Sequence, residues 1–274
     1  MSSNSESADI RVCSWASRES ILPYQPTDNI LEKRIILVTG ASDGIGREAA
    51  ITYARFGATV ILVGRNQDKL NSVARQIEDQ GYPQAEILLL DFANATSADC
   101  WQLASQLAKK VPHLDGVLHN AGILGDRALM TEQDAETWQS VMQINVNVTF
   151  FLTQALLPLL LKAQSPSLVF TSSSVGRQGR AGWGAYAVSK FATEGMMQTL
   201  ADEYQSENLR VNCINPGGTR TAMRASAFPT EDPGKLKTPA DLMPLYLWLM
   251  TDDSHDQNGK SFDAQPQRKP GIAE

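Results

Sequence analysis

Residues 171–190 read TSSSVGRQGRAGWGAYAVSK: three consecutive serines, Ser172, Ser173 and Ser174, then Tyr186, then Lys190 four positions beyond it. A spacing of four puts the tyrosine and the lysine on one face of a helix. A free phenol titrates near pH ~10 and is a poor base at neutrality. A neighbouring cation favours the phenolate, so such a pair can give a proton to a substrate oxygen or take one from it. A serine hydroxyl can orient that oxygen. The residue types alone do not choose among the three serines, and the Tyr–Lys spacing alone also suits an exposed helix pair.

Chemistry of this kind needs elements that bring the groups together. Apolar runs at 34–38 (RIILV), 59–63 (TVILV), 86–91 (EILLLD), 115–120 (DGVLHN), 167–172 (SLVFTS) and 209–215 (LRVNCIN) alternate with helical patterns. In 66–81, Leu70, Val73, Ala74 and Ile77 share one helix face, Asn66 is placed to cap it and Gly81 to stop it. A long helical region is expected through about Lys162, a helix near 239–250 and a last strand near Ser261–Asp263. Strands apolar throughout are buried on both faces, as in a parallel sheet covered by helices. Repeated strand–helix units predict a three-layer, doubly wound α/β fold of Rossmann type with a mostly parallel seven-stranded sheet. Residues 1–30 read as a flexible tail and 31–274 as one catalytic domain.

In such folds ligands sit beyond the carboxyl ends of the strands, so the residues just past each strand are the informative ones. The first strand ends in TGASDGIG, where Gly40, Gly44 and Gly46, with Ser42, Asp43 and Ile45, lie between a strand and a helix start. Glycines there let the backbone approach a pyrophosphate favoured by the helix N-terminus. The nucleotide-triphosphate loop GxxxxGK[ST] is not met, and it fails again at NGKS because Ser254 stands where a glycine is needed. After the second strand, Gly64 removes the carboxylate that would accept from a ribose 2′-hydroxyl, and Arg65 offers a fork for a 2′-phosphate. NADP(H) is therefore expected over NAD. Asp91 could accept from an adenine amino group or cap a helix. Asn120, Ala121 and Gly122 end the fourth strand, and Pro216, Gly217 and Thr219 lie in NPGGTRT after the sixth. Small residues at both places permit close cofactor approach, and both also suit turns.

Composition narrows the classes. With 42% hydrophobic residues, 20% charged and a net charge of −6, the chain is a globular protein without the basic face of a nucleic-acid binder. Its most apolar stretch, 150–161, is interrupted by Thr153, Gln154 and Pro158, so a buried helix is expected and no membrane span. Three cysteines without CxxC spacing read as free thiols, and the polar N-terminus carries no secretory h-region, so the cytoplasm is the expected compartment. GxSxG and HExxH are absent and His113, His119 and His255 are scattered, which argues against a serine hydrolase and a metal site.

TGASDGIG, NAG, Asn145 within QINVN, the serine run followed by YAVSK, and NPGG resemble, in this order, the short-chain dehydrogenase/reductases of the single-domain branch. RIILVTGASDGIGREAA, GVLHNAGILGD and FPTEDPGKLKTPAD look more narrowly like the YciK-type bacterial oxidoreductases. The resemblance implies hydride transfer between NADP(H) and a small carbonyl or alcohol substrate, with Tyr186 as general acid/base. It implies that Lys190 also holds the nicotinamide ribose, that Asn145 supports a water relay to Lys190, and that the chain forms a homodimer or homotetramer. The family's orienting serine lies thirteen residues before the tyrosine, which selects Ser173. Side chains alternate along an extended strand, so Ser172 and Ser174 should face away from it and serve the turn. Lys190 and an oxidised nicotinamide would together bring the Tyr186 phenol towards pH ~7, a shift of roughly 4 kcal/mol. A lid is expected at 219–238, with Arg220, Met223, Arg224 and Phe228, and Trp183 at the entrance. The C-terminal SFDAQPQRKPG departs from the family's usual VDGG ending. A sensor or scaffold that binds NADP(H) without turnover is the alternative, although it would have no need of the phenol.

Overall fold

The computed structural model describes residues 24–271. Seven strands, β1 Ile35–Thr39, β2 Thr59–Gly64, β3 Glu86–Leu89, β4 Gly116–His119, β5 Ser167–Thr171, β6 Arg210–Asn215 and β7 Ser261–Asp263, form one sheet in the order β3-β2-β1-β4-β5-β6-β7. Every pairing is parallel, so the expected mostly parallel sheet is wholly so. The winding reverses between β1 and β4, and the carboxyl ends of these two strands open the crevice where such folds bind ligands.

Helices α1 Gly44–Arg55, α2 Gln67–Asp79 and α3 Ser97–Leu107 cross over between the first strands. They are followed by α4 Ala135–Met142, α5 Val148–Leu160, α6 Gly184–Glu203, α7 Ala222–Ala227 and α8 Met243–Leu249. Each sheet face buries its own apolar cluster. Leu37, Val117, Leu168 and Val211 pack on α3, α5 and α6, while Ile36, Val38, Leu62 and Ile214 pack on α1, α2 and α8. The fully apolar strand runs arise because both faces are covered. Asn66 caps α2 by accepting from Lys69 N (2.9 Å), as its sequence position predicts.

Three expectations need correction. The run 86–91 pairs only through Leu89, because the chain turns at Asp91. The helical region before Lys162 begins only at Ala135 and passes through a π-turn, Gln143–Asn147, between α4 and α5. Ahead of it, 121–129 takes no regular structure. The helix near 239–250 starts as a single 3-10 turn, Ala240–Leu242, and α8 follows with Pro244 in its first turn, where proline needs no N–H partner. The continuous Ala135–Leu160 is long and apolar enough to cross a membrane by composition, yet most of it is buried inside this fold.

The expected tail, including Cys13, lies outside the described residues up to position 23. Its remainder is tied to the body. The Tyr24 hydroxyl donates to Asp253 Oδ2 (2.6 Å), and Tyr24 and Ile30 pack on the cluster that buries Leu31.

Candidate active site

The crevice begins at the turn between β1 and α1. Gly40 has φ +65°, a left-handed value that favours glycine, and a Cβ there would stand 2.9 Å from Ala121 Cα. At Gly46 a Cβ would collide with the Gly40 carbonyl oxygen and stand 2.6 Å from Asn120 Nδ2. These glycines let α1 press against the ends of two strands. Thr39, missed by the sequence reading, fastens that junction: its buried hydroxyl accepts from Asn120 N (3.0 Å) and Ala121 N (3.1 Å). The signal was available in the polar residue closing an otherwise apolar strand. Asn120 in turn accepts from Thr171 Oγ1 at the end of β5 (3.2 Å).

Asp43 caps α1 by accepting from Gly44 N (2.7 Å) and pairs with Lys69 (3.1 Å). The lysine's hydrogen bond, and then that of Gly44, hold its carboxyl below the usual range. Ile45 and Gly46 carry first-turn N–H groups that have no acceptor within a helix. Arg65 is exposed just past the end of β2. Asp91 engages both carboxylate oxygens in its own turn, accepting from Ala93 N (3.2 Å) and Asn94 Nδ2 (2.7 Å). Asp91 thus closes its own turn and caps no helix, since Thr96 is the residue that caps α3.

At the other end, Ser173, Tyr186 and Lys190 converge. Ser173 opens a 3-10 turn, Ser174–Gly176, that packs against α6; a Cβ on Gly176 would stand 2.7 Å from the Lys190 carbonyl oxygen. That close approach brings Ser173 beside Tyr186, where the serine side chain works to lower the phenol. Lys190 Nζ donates to Thr171 O (2.7 Å) and lies 5.6 Å from the Tyr186 ring centroid. Burial pushes Tyr186 up to about 12, opposed by Ser173, and pushes Lys190 down to about 8. Desolvation dominates the phenol, and the Lys190 ammonium is directed at a backbone carbonyl.

Asn145 sits in the π-turn with both ends engaged. Its Oδ1 accepts from Ile123 N (2.9 Å), and its Nδ2 donates to Ile123 O (2.9 Å) and Ser189 Oγ (3.0 Å). It fixes the segment after Gly122 against α6. A Cβ on Gly122 would lie 3.3 Å from Asn145 Oδ1 and 3.8 Å from Lys190 Nζ, so all three meet at one point.

Ser172 is buried and is no turn hydroxyl. It donates to the buried Glu194 (2.5 Å), which also accepts from Ser261 (2.9 Å), and burial raises the Glu194 carboxyl. Sequence reasoning missed this acid because its partners lie just past β5 and at the start of β7. His119 is a core residue, buried, stacked on Phe170 at 5.2 Å and bonded to Thr153 (3.0 Å). Burial lowers it to about 3.

The resulting cleft has a volume of about 1210 Å³ and is lined by Gly40, Asp43, Gly44, Ile45, Asn120, Ala121, Gly122, Ser173, Tyr186, Lys190, Pro216, Gly217 and Thr219. Ser42, Gly46, Arg65 and Asn145 stand behind or beside it. Over its mouth, Trp183 lies 5.9 Å from Tyr186 and 6.0 Å from Phe228, centroid to centroid. Arg224, expected in the lid, grips the buried Glu231 with two bonds (2.6 and 2.7 Å). The departing C-terminus folds back here: Gln265 Nε2 donates to Pro216 O (2.8 Å) and Gly218 O (3.0 Å), and Arg268 reaches Glu231 (3.4 Å).

With this strand order, glycine turn and Ser–Tyr–Lys convergence in place, the chain belongs to the short chain dehydrogenase family, whose model matches residues 34–232. It is 70% identical to the uncharacterized oxidoreductase YciK of Escherichia coli (strain K12), over 92% of this chain and 99% of that one. A short chain dehydrogenase from Escherichia coli CFT073, crystallised with NADPH, is 71% identical and superposes with a TM-score of 0.87, covering 88% of this chain and 100% of its own. One from Shigella flexneri 2a str. 301, complexed with NADP, is 70% identical with a TM-score of 0.86 over the same shares.

Proposed function

We propose that the protein is an NADP(H)-dependent oxidoreductase that transfers a hydride between the nicotinamide and a small carbonyl or alcohol substrate, with Tyr186 as general acid/base. The observation that carries this reading is the convergence of Ser173, Tyr186 and Lys190 in the cleft that starts over the glycine turn. The NADP and NADPH complexes of two relatives at 70% and 71% identity support the cofactor.

The residues present fit such a group. The turn at Gly40 and Gly44 leaves room where a side chain would intrude, and the start of α1 favours an anion. Pro216, Gly217 and Thr219 face the same space from beyond β6. Arg65 is placed for a 2′-phosphate, and Arg65→Asp should shift preference towards NADH; an unchanged ratio of specificity constants would remove it from that role. Asp91, whose two oxygens each accept one hydrogen bond in its own turn, keeps acceptor capacity for an adenine amino group.

Bound there, the cofactor supplies the hydride and, when oxidised, a positive charge close to Tyr186. The Ser173 hydroxyl holds the substrate oxygen beside the phenol. Tyr186 gives that oxygen its proton in reduction and removes it in oxidation. Lys190, with a value near 8, carries its charge at neutral pH and stabilises the phenolate left behind. Asn145 keeps the Gly122 segment and α6 in register around Lys190. Phe150 on α5 and Phe191 on α6 are exposed, which supports assembly into a homodimer or homotetramer through these helices. A monomeric mass by light scattering at micromolar concentration would exclude it.

The reading is tested by an NADPH-oxidation screen across ketones, aldehydes and acyl-thioester carbonyls. Turnover of at least one class is expected. NADPH binding with no oxidation across the panel would favour a sensor or scaffold instead.

A further inference from the structure

The cations around the cleft mouth are not equivalent. Arg177 is paired with Asp263, and Arg224 and Arg268 share the single carboxylate of Glu231, closely at Arg224 and at 3.4 Å from Arg268. Arg180 leans on the neutral Gln178 (3.4 Å). Arg127, like Arg180 and Lys269 on the same cleft, has no ion pair among the described residues. It alone of the three is set against aromatic rings, one of which, Phe228, also carries Arg224 at 3.8 Å. The Arg127 guanidinium carbon lies 4.6 Å from the Trp183 ring centroid and 4.6 Å from that of Phe228. A single hydrogen bond, from Nη1 to Ala227 O (2.9 Å) on the lid, fixes its direction. No carboxylate among the described residues pairs with it, and it is an exposed residue that lines the cleft.

This cation stands one ring away from the reacting centre, because Trp183, which it covers, is itself the aromatic neighbour of Tyr186 at 5.9 Å. Leu124 and Met223 extend the apolar wall. From these positions we infer that Arg127 is a specificity-determining residue, and that the substrate is a carbonyl compound carrying a carboxylate one ring's length from its reactive carbon. The inference rests on the reading of Tyr186 as the proton donor. Its chemistry is the match of a planar guanidinium with a planar carboxylate. The flanking aromatic faces hold the guanidinium in place and accommodate the apolar body of the ligand. One cation balances a carboxylate, whereas a phosphate dianion would leave a charge uncompensated among aromatic rings.

The probe is 4-acetylbenzoate, compared with its neutral methyl ester. Both are titrated calorimetrically into the protein loaded with NADP in its oxidised form, which prevents reduction of the ketone. The acid should bind at least tenfold more tightly than the ester. Arg127→Gln should cancel that preference while leaving NADP affinity unchanged, and Arg127→Lys, which keeps the charge, should retain part of it. A merely structural staple would lose as much with lysine as with glutamine. Equal binding of acid and ester by the wild type, no binding of the acid, or a preference that survives in Arg127→Gln each overturns the inference. If Arg127→Gln does not fold, the wild-type ratio and the lysine variant decide. This titration needs no turnover, so the two readings fail distinguishably. NADPH oxidation with no preference for the acid sinks only the present inference. A preference for the acid without oxidation of NADPH leaves a carboxylate site at Arg127 and overturns the reductase reading on which its role in substrate choice rests.

Discussion

Tyr186 and Lys190 are displaced by the same cause in opposite directions. Burial disfavours the charged form of each, raising the phenol to about 12 and lowering the ammonium to about 8. Between its folded value near 8 and its ordinary 10.5, Lys190 holds fewer protons folded than unfolded. Its contribution to stability therefore rises with pH across that window, having cost on the order of 3 kcal/mol below it. Tyr186 acts in the opposite sense above pH 10.0, since the folded state keeps its proton longer. Unfolding free energies measured on the wild type and on Lys190→Met should accordingly show a difference that climbs in favour of the wild type from about pH 8 to about pH 10. A difference that stays flat would mean that the ammonium is not desolvated. The serines separate by function in the same way. Ser173→Ala should lower kcat by roughly a hundredfold, as loss of one oxyanion-type donor does, and Ser174→Ala by less than about twofold. Equal losses on NADPH oxidation would place the orienting hydroxyl elsewhere.

Among the elements, the junction of β1, α1 and the segment after β4 is the most tightly built. Gly46 has no room for a methyl group between the Gly40 carbonyl and Asn120. Gly46→Ala should cost about 1–3 kcal/mol by overpacking, and should weaken NADPH binding at least tenfold as α1 moves off the turn. A melting temperature and an NADPH titration check both; a variant matching the wild type in each would show that the turn yields without loss. This junction was legible in the sequence because glycines between an apolar strand and a helix start have few other uses. Tyr186 and Lys190 were legible because their shared helix follows the fifth strand of a chain that opens with the glycine turn, the spacing of four alone being common to exposed pairs. Asn145 could be placed only by resemblance, since nothing in QINVN announces a π-turn. Glu194 was invisible for a related reason. Its partners, Ser172 just past β5 and Ser261 at the start of β7, lie far from it in sequence, and no local pattern records a long-range pair.

At the scale of the whole molecule, the strand–helix alternation made the doubly wound sheet readable, and the parallel pairing came from strands apolar on both faces. The closure over the cleft was not readable. Glu231 binds Arg224 seven residues before it and Arg268 thirty-seven after it, so lid and C-terminus are joined by charges that the sequence scatters. The departure at SFDAQPQRKPG is in fact the piece that folds back over the segment after β6. All of these parts enclose one phenol, and the account depends on what it does. The most direct test compares NADPH oxidation by the wild type and by Tyr186→Phe, on a carbonyl compound that the wild type reduces, with NADPH binding measured alongside. The account predicts that turnover falls at least a thousandfold while NADPH affinity changes less than about threefold. A variant that still turns over at a rate near the wild type would contradict it.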